Sequence, residues 1–394
     1  MASNNYKIAI LNSHPIQYFG PLYKHINSHD KINLTVYYYS DFGLKAYFDK
    51  GFGREIQWDR DLTDGYEYKI LPNVRKKNEL KGFLKLINPA LFRELKQGQF
   101  DAVIIHGTNY FTDVFAIFCC KLLGVQIFMR RSMHLQIKRS RSIFKEWIIS
   151  FLTKMCDGCL SISERNTAYF RFLGVSEDKI HYIPHVVDNN HFVNSSKISK
   201  SQKEKLKSRY AIPKEAKVIL YVAKLQKIKR PLDLLEAFRN LSSASNYLLI
   251  VGTGEEEENI KSFIRNHNIQ NVILLGFINQ QELPLIYGIS DVFVLPSETE
   301  TWGLVINEAM CAGLPVVTSS VIGAVPEIVK HGETAFTYET GDVNQLASYL
   351  DQLLEDNELR QRMSENALTF ISGYNYELFS ERLLNIMEHV TKER

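Results

Sequence analysis

The feature that most constrains this chain is a succession of short runs that are apolar at nearly every position rather than at alternate ones. YKIAILNS, INLTVYYYS, DAVIIHG, VQIFMRR, GCLSIS and KIHYIP lie in the first half, and KVILYVAK, YLLIVGTG, NVILLGFI, DVFVLPS and LPVVTS in the second. A strand that is apolar on both faces must be covered on both faces. Helix-like segments separate the runs, and that alternation implies parallel sheets wound by crossover helices. With 394 residues the chain exceeds one ordinary core. The expectation is an α/β chain of two doubly wound domains facing each other across a cleft. Residues 1–190 form the first, polar residues 191–205 a linker, 206–372 the second, and 373–394 a C-terminal helix that crosses back to the first. Ligands of such sheets lie beyond the C-terminal strand ends.

Charge and cysteine usage narrow the classes. Hydrophobic residues make up 45% and charged residues 23%, the balance of a globular enzyme. Residues 1–190 carry 26 Lys/Arg against 18 Asp/Glu, a balance of +8, whereas 191–394 carry 21 against 26, a balance of −5. A basic first half points to an anionic partner or surface. No nucleic-acid-binding motif accompanies the charge. Two basic stretches, 73–97 and 130–154, the second with Trp147, fit amphipathic helices on an anionic membrane. They fit two ordinary helices with solvated basic faces as well. The longest apolar candidate, VFAIFCCKLLGVQIFM, is broken by Lys121, short of the ~18 residues of a membrane span. MASNNYKIAI has no charged region ahead of its strand-like run. A cytoplasmic protein is expected, peripheral at most on the inner face of the cell membrane. The five cysteines are irregularly spaced, which favours reduced thiols. Cys156 and Cys159 form a CxxC without the second pair a zinc site needs, so a buried structural role is expected.

Chemistry concentrates in the second half. DVFVLPS reads as a strand, SETETW as the loop beyond it, and Leu304 to Ala312 as a short helix closed by Gly313 and Pro315. Gly303, Leu304 and Val305 then form a first turn whose amides lack intrahelical acceptors. Such a helix start favours an anion, phosphate above all, and Gly303 lets it approach the backbone. Glu300 and Glu308 bracket this start. Glu308, one turn past Leu304 on the same face, suits hydrogen bonds from a diol such as ribose. Glu300 suits a sugar or the reaction centre. The plainer alternative makes the first a solvated loop residue and the second an exposed helix residue. Lys224 and Lys229, in the loop before a helix opening at Pro231, are placed to clamp a diphosphate, or else belong to a solvated basic loop. VGTG holds only a G-x-G, and the glutamates after it repel phosphate, against a dinucleotide fingerprint. GFINQQEL offers Asn279 as an N-cap with Glu282 three residues on, and the backbone before it, at Ile278, is placed to read a nucleobase edge.

AKLQKIKRPLDLLEAF, VGTGEEE, the long segment from LLGFINQQEL to GLPVVTS, and GAVPEIV occur in this order. Together they resemble the retaining glycosyltransferases of family 4, which have the GT-B fold of two Rossmann-like domains. The Glu-x7-Glu element followed by Ala-Met and Gly-Xaa-Pro-Val-Val is the most specific part, and with the first half the resemblance covers nearly the whole chain. It implies that Glu300 lies by the donor sugar, that Glu308 binds the nucleotide ribose, and that the backbone from Gly303 through Leu304 to Val305 holds the diphosphate. Gly252 and Ile278 join them on the donor side. Lys224 and Lys229 neutralise the leaving phosphates, so catalysis rests on Glu300, Lys224 and Lys229. The family commonly has arginine at the first of these lysines; lysine keeps the charge and loses the bidentate fork. The implied reaction moves a sugar from a nucleotide-diphosphate donor to an acceptor hydroxyl with retention of configuration, without a metal and with no cofactor beyond the sugar nucleotide. A non-catalytic nucleotide-sugar-binding protein and a nucleotide-sugar epimerase on the same fold are the alternatives.

In the first half, His14, His106, His134 and His185 fall at or just past strand ends. Each is as compatible with a structural role as with a functional one, and no HExxH or paired ligand spacing points to a metal. Asp59-Arg60-Asp61 is formally a D-x-D, but it follows no strand. NSHPIQYFGPLYKHI and GFGREIQWDRDLTDGYEYKIL resemble a family 4 subset that opens with His-Pro-Ile-Gln-Tyr. The resemblance implies an acceptor side that includes His14, Gln17, His106, Arg131 and His134. Many relatives carry a reaction-centre histidine after the strand matching VQIFMRR, and Arg131, Ser132 and His134 all remain candidates for that place. The subset and the basic first half point to a saccharide or lipid-linked saccharide acceptor of cell-surface polysaccharide or glycolipid synthesis. Uridine and guanosine donors stay open.

Overall fold

The computed structural model describes residues 5–75, 80–137 and 142–392. In chain order the strands are β1 Tyr6–Asn12, β2 Ile32–Tyr38, β3 Tyr47–Asp49, β4 Arg54–Ile56, β5 Glu67–Ile70, β6 Ala102–Ile105, β7 Gln126–Arg130, β8 Gly158–Ser161, β9 Ile180–Tyr182, β10 Val218–Val222, β11 Tyr247–Val251, β12 Val272–Gly276, β13 Val292–Leu295, β14 Val316–Ser319 and β15 Ala335–Tyr338. The chain divides into two compact units. Met1–Tyr47, Arg60–His185 and Tyr376–Arg394 make the first, and Phe48–Asp59 with Val186–Asn375 the second.

The first unit holds a seven-stranded sheet in the order β5-β2-β1-β6-β7-β8-β9, every neighbouring pair parallel. The second holds a six-stranded sheet in the order β12-β11-β10-β13-β14-β15, again parallel throughout. In each the chain builds outward on one side of a central strand, then returns and builds on the other. Right-handed crossovers then place the connecting helices on opposite faces. This is the doubly wound α/β architecture that the apolar runs predict. All five residues of β10 are buried, as are Ala102–Ile105 of β6. Parallel strands so placed can form only where helices cover both faces.

The points of reversal are β1/β6 and β10/β13, and there the loops at the C-terminal strand ends part to opposite faces and open a crevice. The C-terminal helix Tyr376–Lys392 belongs to the first unit. Its Phe379, Leu383 and Met387, spaced four apart, are buried, and the Arg130 guanidinium lies 4.8 Å from the Phe379 ring centre.

Several places differ from the sequence reading. Residues 191–205, read as a linker, belong to two helices of the second unit, Asn189–Ser196 and Lys200–Arg209. Their polar residues are caps and solvated faces. Asp188 accepts from the His191 amide, and Ser199 and Gln202 form a reciprocal capping box. Asn279 caps no helix: the following helix starts at Leu283, and the Asn279 amide group donates to the Gln57 carbonyl at 2.7 Å. Strands β3, β4, β5 and β15 have no counterpart among the predicted runs. All four residues of β5 are exposed, so it lacks the double-faced signature. Of the two basic stretches, residues 76–79 and 138–141 lie outside the described residues.

Candidate active site

In the second unit, the loops after β10 and β13 bring most of the sequence-predicted residues to the reversal point. The β10 loop is tied to the β11 loop by Ala223 N–H to Val251 O (3.1 Å) and Leu225 N–H to Thr253 O (2.9 Å). It ends in a 3₁₀ turn, Lys227–Lys229, and the left-handed Arg230, before the helix that opens at Pro231. Lys229 forms a close ion pair with Glu300 of the β13 loop, both side chains 16% exposed. The Ser297 hydroxyl also donates to the same Glu300 oxygen, at 3.3 Å. Glu300 is thus not the solvated loop residue of the plainer reading. The two loops are joined again by Glu298 N–H to Ile228 O (2.9 Å) and by Arg230, which reaches Glu298 (3.1 Å) and Asp233 (2.7 Å).

Lys224 ends on a different carboxylate. Its ammonium stands 3.0 Å from both oxygens of Asp49, over the Phe52 ring. Asp49 lies 175 residues away, and no local sequence signal marks that pairing.

Gly303 caps the helix Leu304–Cys311 from outside, with φ +99°, instead of sitting in its first turn. The glycine has two structural causes. The backbone is left-handed, and a Cβ would meet Ile322 at 3.0 Å and Leu295 at 3.3 Å. Leu304 and Val305 supply the first-turn amides. Glu308 is fully buried and accepts the Tyr287 hydroxyl at 2.9 Å, so it is not an exposed helix residue. Two further contacts fix the β13 loop. The buried Trp302 indole donates to Asn307 at 2.8 Å, and Gly323 and Ala324 amides donate to Glu300 O (3.2 Å) and Trp302 O (3.0 Å). Gly323 is another residue the sequence reading missed: a Cβ there would fall 2.0 Å from Thr301 O. Gly252, with φ +133°, donates its amide to Gly276 O at 2.7 Å. Ile278 follows β12, between Phe277 and Asn279. The Tyr221 phenol on β10 is pushed well above its ordinary pKa by burial and by the charge of Glu300.

The first unit gathers histidines at its own strand ends. His106 stacks obliquely on Phe19 with ring centres 4.9 Å apart, and burial, then the charge of Arg130, lowers its pKa to about 3. His14 bonds to the Ser13 hydroxyl at 2.8 Å and meets Phe42 edge-on, and burial lowers its pKa to about 4. Gln17 follows in the turn before the helix Phe19–Asn27. His185 bridges Arg130 (Nη2 to Nδ1, 3.1 Å) and the Ser132 hydroxyl (Nε2, 2.9 Å). Burial, Arg130 and His106 hold its pKa well below the ordinary value. These imidazoles are therefore neutral at pH 7. Arg131 is buried and donates to Thr108 Oγ1 at 3.1 Å, and His134 is buried as well. Asn166 holds their loop through the Arg131 and Met133 carbonyls at 2.8 and 2.6 Å.

Cys156 and Cys159 are buried free thiols whose pKa burial raises. Asp59 and Asp61 of the formal D-x-D serve the backbone amides of Gln281 (3.0 Å) and Thr63 (2.8 Å). Among the described residues no group of three or more His, Cys, Asp or Glu is arranged to hold a metal ion.

Residues 202–370 match the family model "Glycosyl transferases group 1". An N-acetyl-alpha-D-glucosaminyl L-malate synthase of Bacillus anthracis is 33% identical over 202 residues, which span 50% of this chain and 51% of that protein. Among solved structures, a glycosyltransferase from Rickettsia africae superposes with a TM-score of 0.77 at 17% identity, covering 99% of this chain and 100% of that one. Anabaena Alr3699/HepE in complex with UDP gives 0.75 at 17% identity, covering 98% and 100%. Residues 202–370 are thus similar to the group 1 glycosyl transferases, and the chain has the GT-B fold.

Proposed function

We propose that the chain is a retaining glycosyltransferase of family 4, moving a sugar from a nucleotide-diphosphate donor to an acceptor hydroxyl. The observation that carries this reading is the meeting at the β10/β13 reversal of the Lys229–Glu300 pair with the helix start at Leu304. Two lysines and a helix N-terminus make a site for a leaving diphosphate. As the bond from the anomeric carbon to the β-phosphate oxygen breaks, charge grows on that oxygen. Lys224, Lys229 and the Leu304 and Val305 amides offset it. Glu300, oriented by Lys229 and Ser297, holds the sugar. The acceptor oxygen bonds the anomeric carbon from the leaving-group face and passes its proton to a donor phosphate oxygen. Glu308 is assigned to the ribose. Since it is buried against Tyr287, ribose contact requires a local opening when the donor binds. The UDP held by the Anabaena neighbour supports a uridine donor. The loops carrying His14, Gln17, His106, Arg131 and His134 are assigned to the acceptor, a cell-surface saccharide or lipid-linked saccharide.

The test is a thermal-shift screen of nucleotides and nucleotide sugars, followed by donor turnover. A ligand at ~100 times its dissociation constant stabilises by about 2.7 kcal/mol. Binding without transfer or donor hydrolysis would favour a non-catalytic binder. Release of free nucleotide and an altered sugar without acceptor would favour an epimerase. Glu300→Ala and Lys229→Ala should bring transfer close to zero in a folded protein, and full activity in either sinks the assignment.

A contact of the first unit with an anionic membrane belongs to the same reading. Helices Phe111–Leu123, Ile143–Met155 and Glu164–Phe172 join consecutive strands from β6 to β9, so right-handed crossovers set them side by side on one face. Outward from it stand Phe118, Leu122, Ile143 (89% exposed), Phe144 (70%), Trp147 (64%), Phe151 (52%) and Phe172. The middle helix turns its one acid, Glu146, inward to the Tyr169 hydroxyl (3.2 Å), leaving Lys145 and Lys154 outside. Apolar aromatic rows edged by lysine fit an anionic lipid surface. No helix among the described residues is long and apolar enough to cross a membrane.

A further inference from the structure

Residues 48–59 belong to the second unit although the chain on either side of them belongs to the first. They form the β3–β4 hairpin, and it packs on the loops after β10, β11 and β12. Thr253 Oγ1 donates to Phe52 O at 2.7 Å, Asn279 to Gln57 O at 2.7 Å, and the Gln281 amide to Asp59 at 3.0 Å. Phe277, next to Ile278, takes Phe52 edge-on at 5.0 Å and Trp58 at 5.9 Å between ring centres.

The tip of the hairpin is shaped around Lys224. Asp49 Oδ1 receives the Gly51 and Phe52 amides at 2.7 and 3.0 Å, which fixes the carboxylate, and both its oxygens face the ammonium at 3.0 Å. Burial alone would raise the Asp49 pKa. The Lys224 hydrogen bond, those two amides and the lysine charge outweigh it and hold the carboxyl below the ordinary carboxylate value. The Phe52 ring lies 4.5 Å from the same Nζ. Gly51 makes room for the side chain, since a Cβ there would fall 2.8 Å from Lys224 Cδ. The ammonium thus has its charge paired and two acceptors in place, while its side chain stays 37% exposed and reachable. A diphosphate reaching it would sit beside a fixed carboxylate, and like charges in a partly desolvated site repel. Exchange of one anion for the other is then favoured over sharing.

We propose that the 48–59 hairpin is a latch on the donor site: Asp49 holds Lys224 in the donor-free protein and yields it to the donor diphosphate, so that donor binding and release of the hairpin tip are one step. This rests on the reading of Lys224 as a diphosphate ligand. UDP and GDP are titrated calorimetrically into wild type, Asp49→Asn, Phe52→Leu, Lys224→Ala and the Asp49→Asn/Lys224→Ala double variant. Asparagine keeps the oxygen that accepts both amides and removes the charge. Asp49→Asn should bind the preferred nucleotide about tenfold more tightly than wild type, as expected when one charged competitor is removed. Phe52→Leu should bind about two- to threefold more tightly. With lysine 224 removed, Asp49→Asn should bring no gain. The donor KM of Asp49→Asn falls, and kcat falls with it, because the product nucleotide is also held longer. Unchanged or weaker binding in Asp49→Asn overturns the latch while leaving the donor site intact. Binding of neither nucleotide by wild type or variant overturns the donor-site reading itself. An independent readout is Trp58. Saturating nucleotide should change the emission of wild type more than that of Trp58→Phe, which keeps the Trp302 indole of the β13 loop. Identical changes in the two proteins overturn hairpin release.

Discussion

Lys229 and Glu300 form the ion pair on which the proposed reaction rests. Neither is well solvated, and each keeps the other in place before any substrate arrives. In the proposed reaction, Lys229→Ala removes a preorganised cation from the leaving group, and it removes the ion-pair partner of Glu300. Its turnover should fall by ~10²–10³, and Lys229→Arg should recover part of it, because the charge returns in a different shape. Donor hydrolysis or transfer rates of the three proteins check this. In the first unit His185 sets a different kind of residue-level test. Burial, Arg130 and His106 keep it neutral in the fold, whereas in the unfolded chain it protonates near pH 6.5. Below that pH the unfolded state binds a proton the folded state refuses, so stability falls as pH drops from about 6.5. The thermal midpoint should decline between pH 7 and 5, and His185→Gln should flatten that decline. An equally steep profile in the variant would remove His185 from the explanation.

At the scale of elements, the loops after β10, β11 and β12 behave as one zipped layer. The β10 loop bonds to the β11 loop, which bonds through Gly252 to the end of β12. Gly252→Ala would drive a Cβ to 1.9 Å from Ala223 O at a φ of +133°. It should cost about 2–4 kcal/mol and weaken nucleotide binding, since Ala223 precedes Lys224. Gly276→Asn, at φ +68° with open space around the site, should be nearly neutral, because asparagine tolerates that conformation. Calorimetric midpoints and UDP titrations separate the two. The same layer shows what a sequence reveals. Strands such as β10 and β13 were legible because burial on both faces leaves a run of apolar residues. The edge strand β5 was not, since its four residues are exposed. The helices over 191–205 were hidden by the polar residues that cap and solvate them. Within the candidate site, the position of Lys224, Lys229, Glu300 and the helix at Leu304 in the loops after strands was legible. The burial of Glu308 under Tyr287 and the pairing of Lys224 with Asp49 were not, because each depends on a partner distant in sequence.

For the whole molecule, the uneven charge and the apolar face of the first unit bear on where the protein works. Ile143, Phe144, Trp147 and Phe151 repeat along one outer face of a helix whose inner face carries Ile149 and Leu152. Phe144, Trp147 and Phe151 also stack in sequence, with centres 6.4 and 6.1 Å apart. A second copy of the chain would bring like charges together on this basic side, whereas an anionic bilayer supplies the opposite charge and a place for the rings. Sedimentation with vesicles rich in phosphatidylglycerol should therefore capture the protein, phosphatidylcholine vesicles should capture far less, and added salt should weaken the first. Trp147→Ser and Phe144→Ser should each weaken binding about tenfold, the loss expected from one buried aromatic ring, and leave the thermal midpoint within the range of ordinary surface substitutions. Equal capture of wild type and both variants would assign the attraction to charge alone. A dimer in solution that the serine variants dissolve would give the face to a second copy instead of a lipid surface.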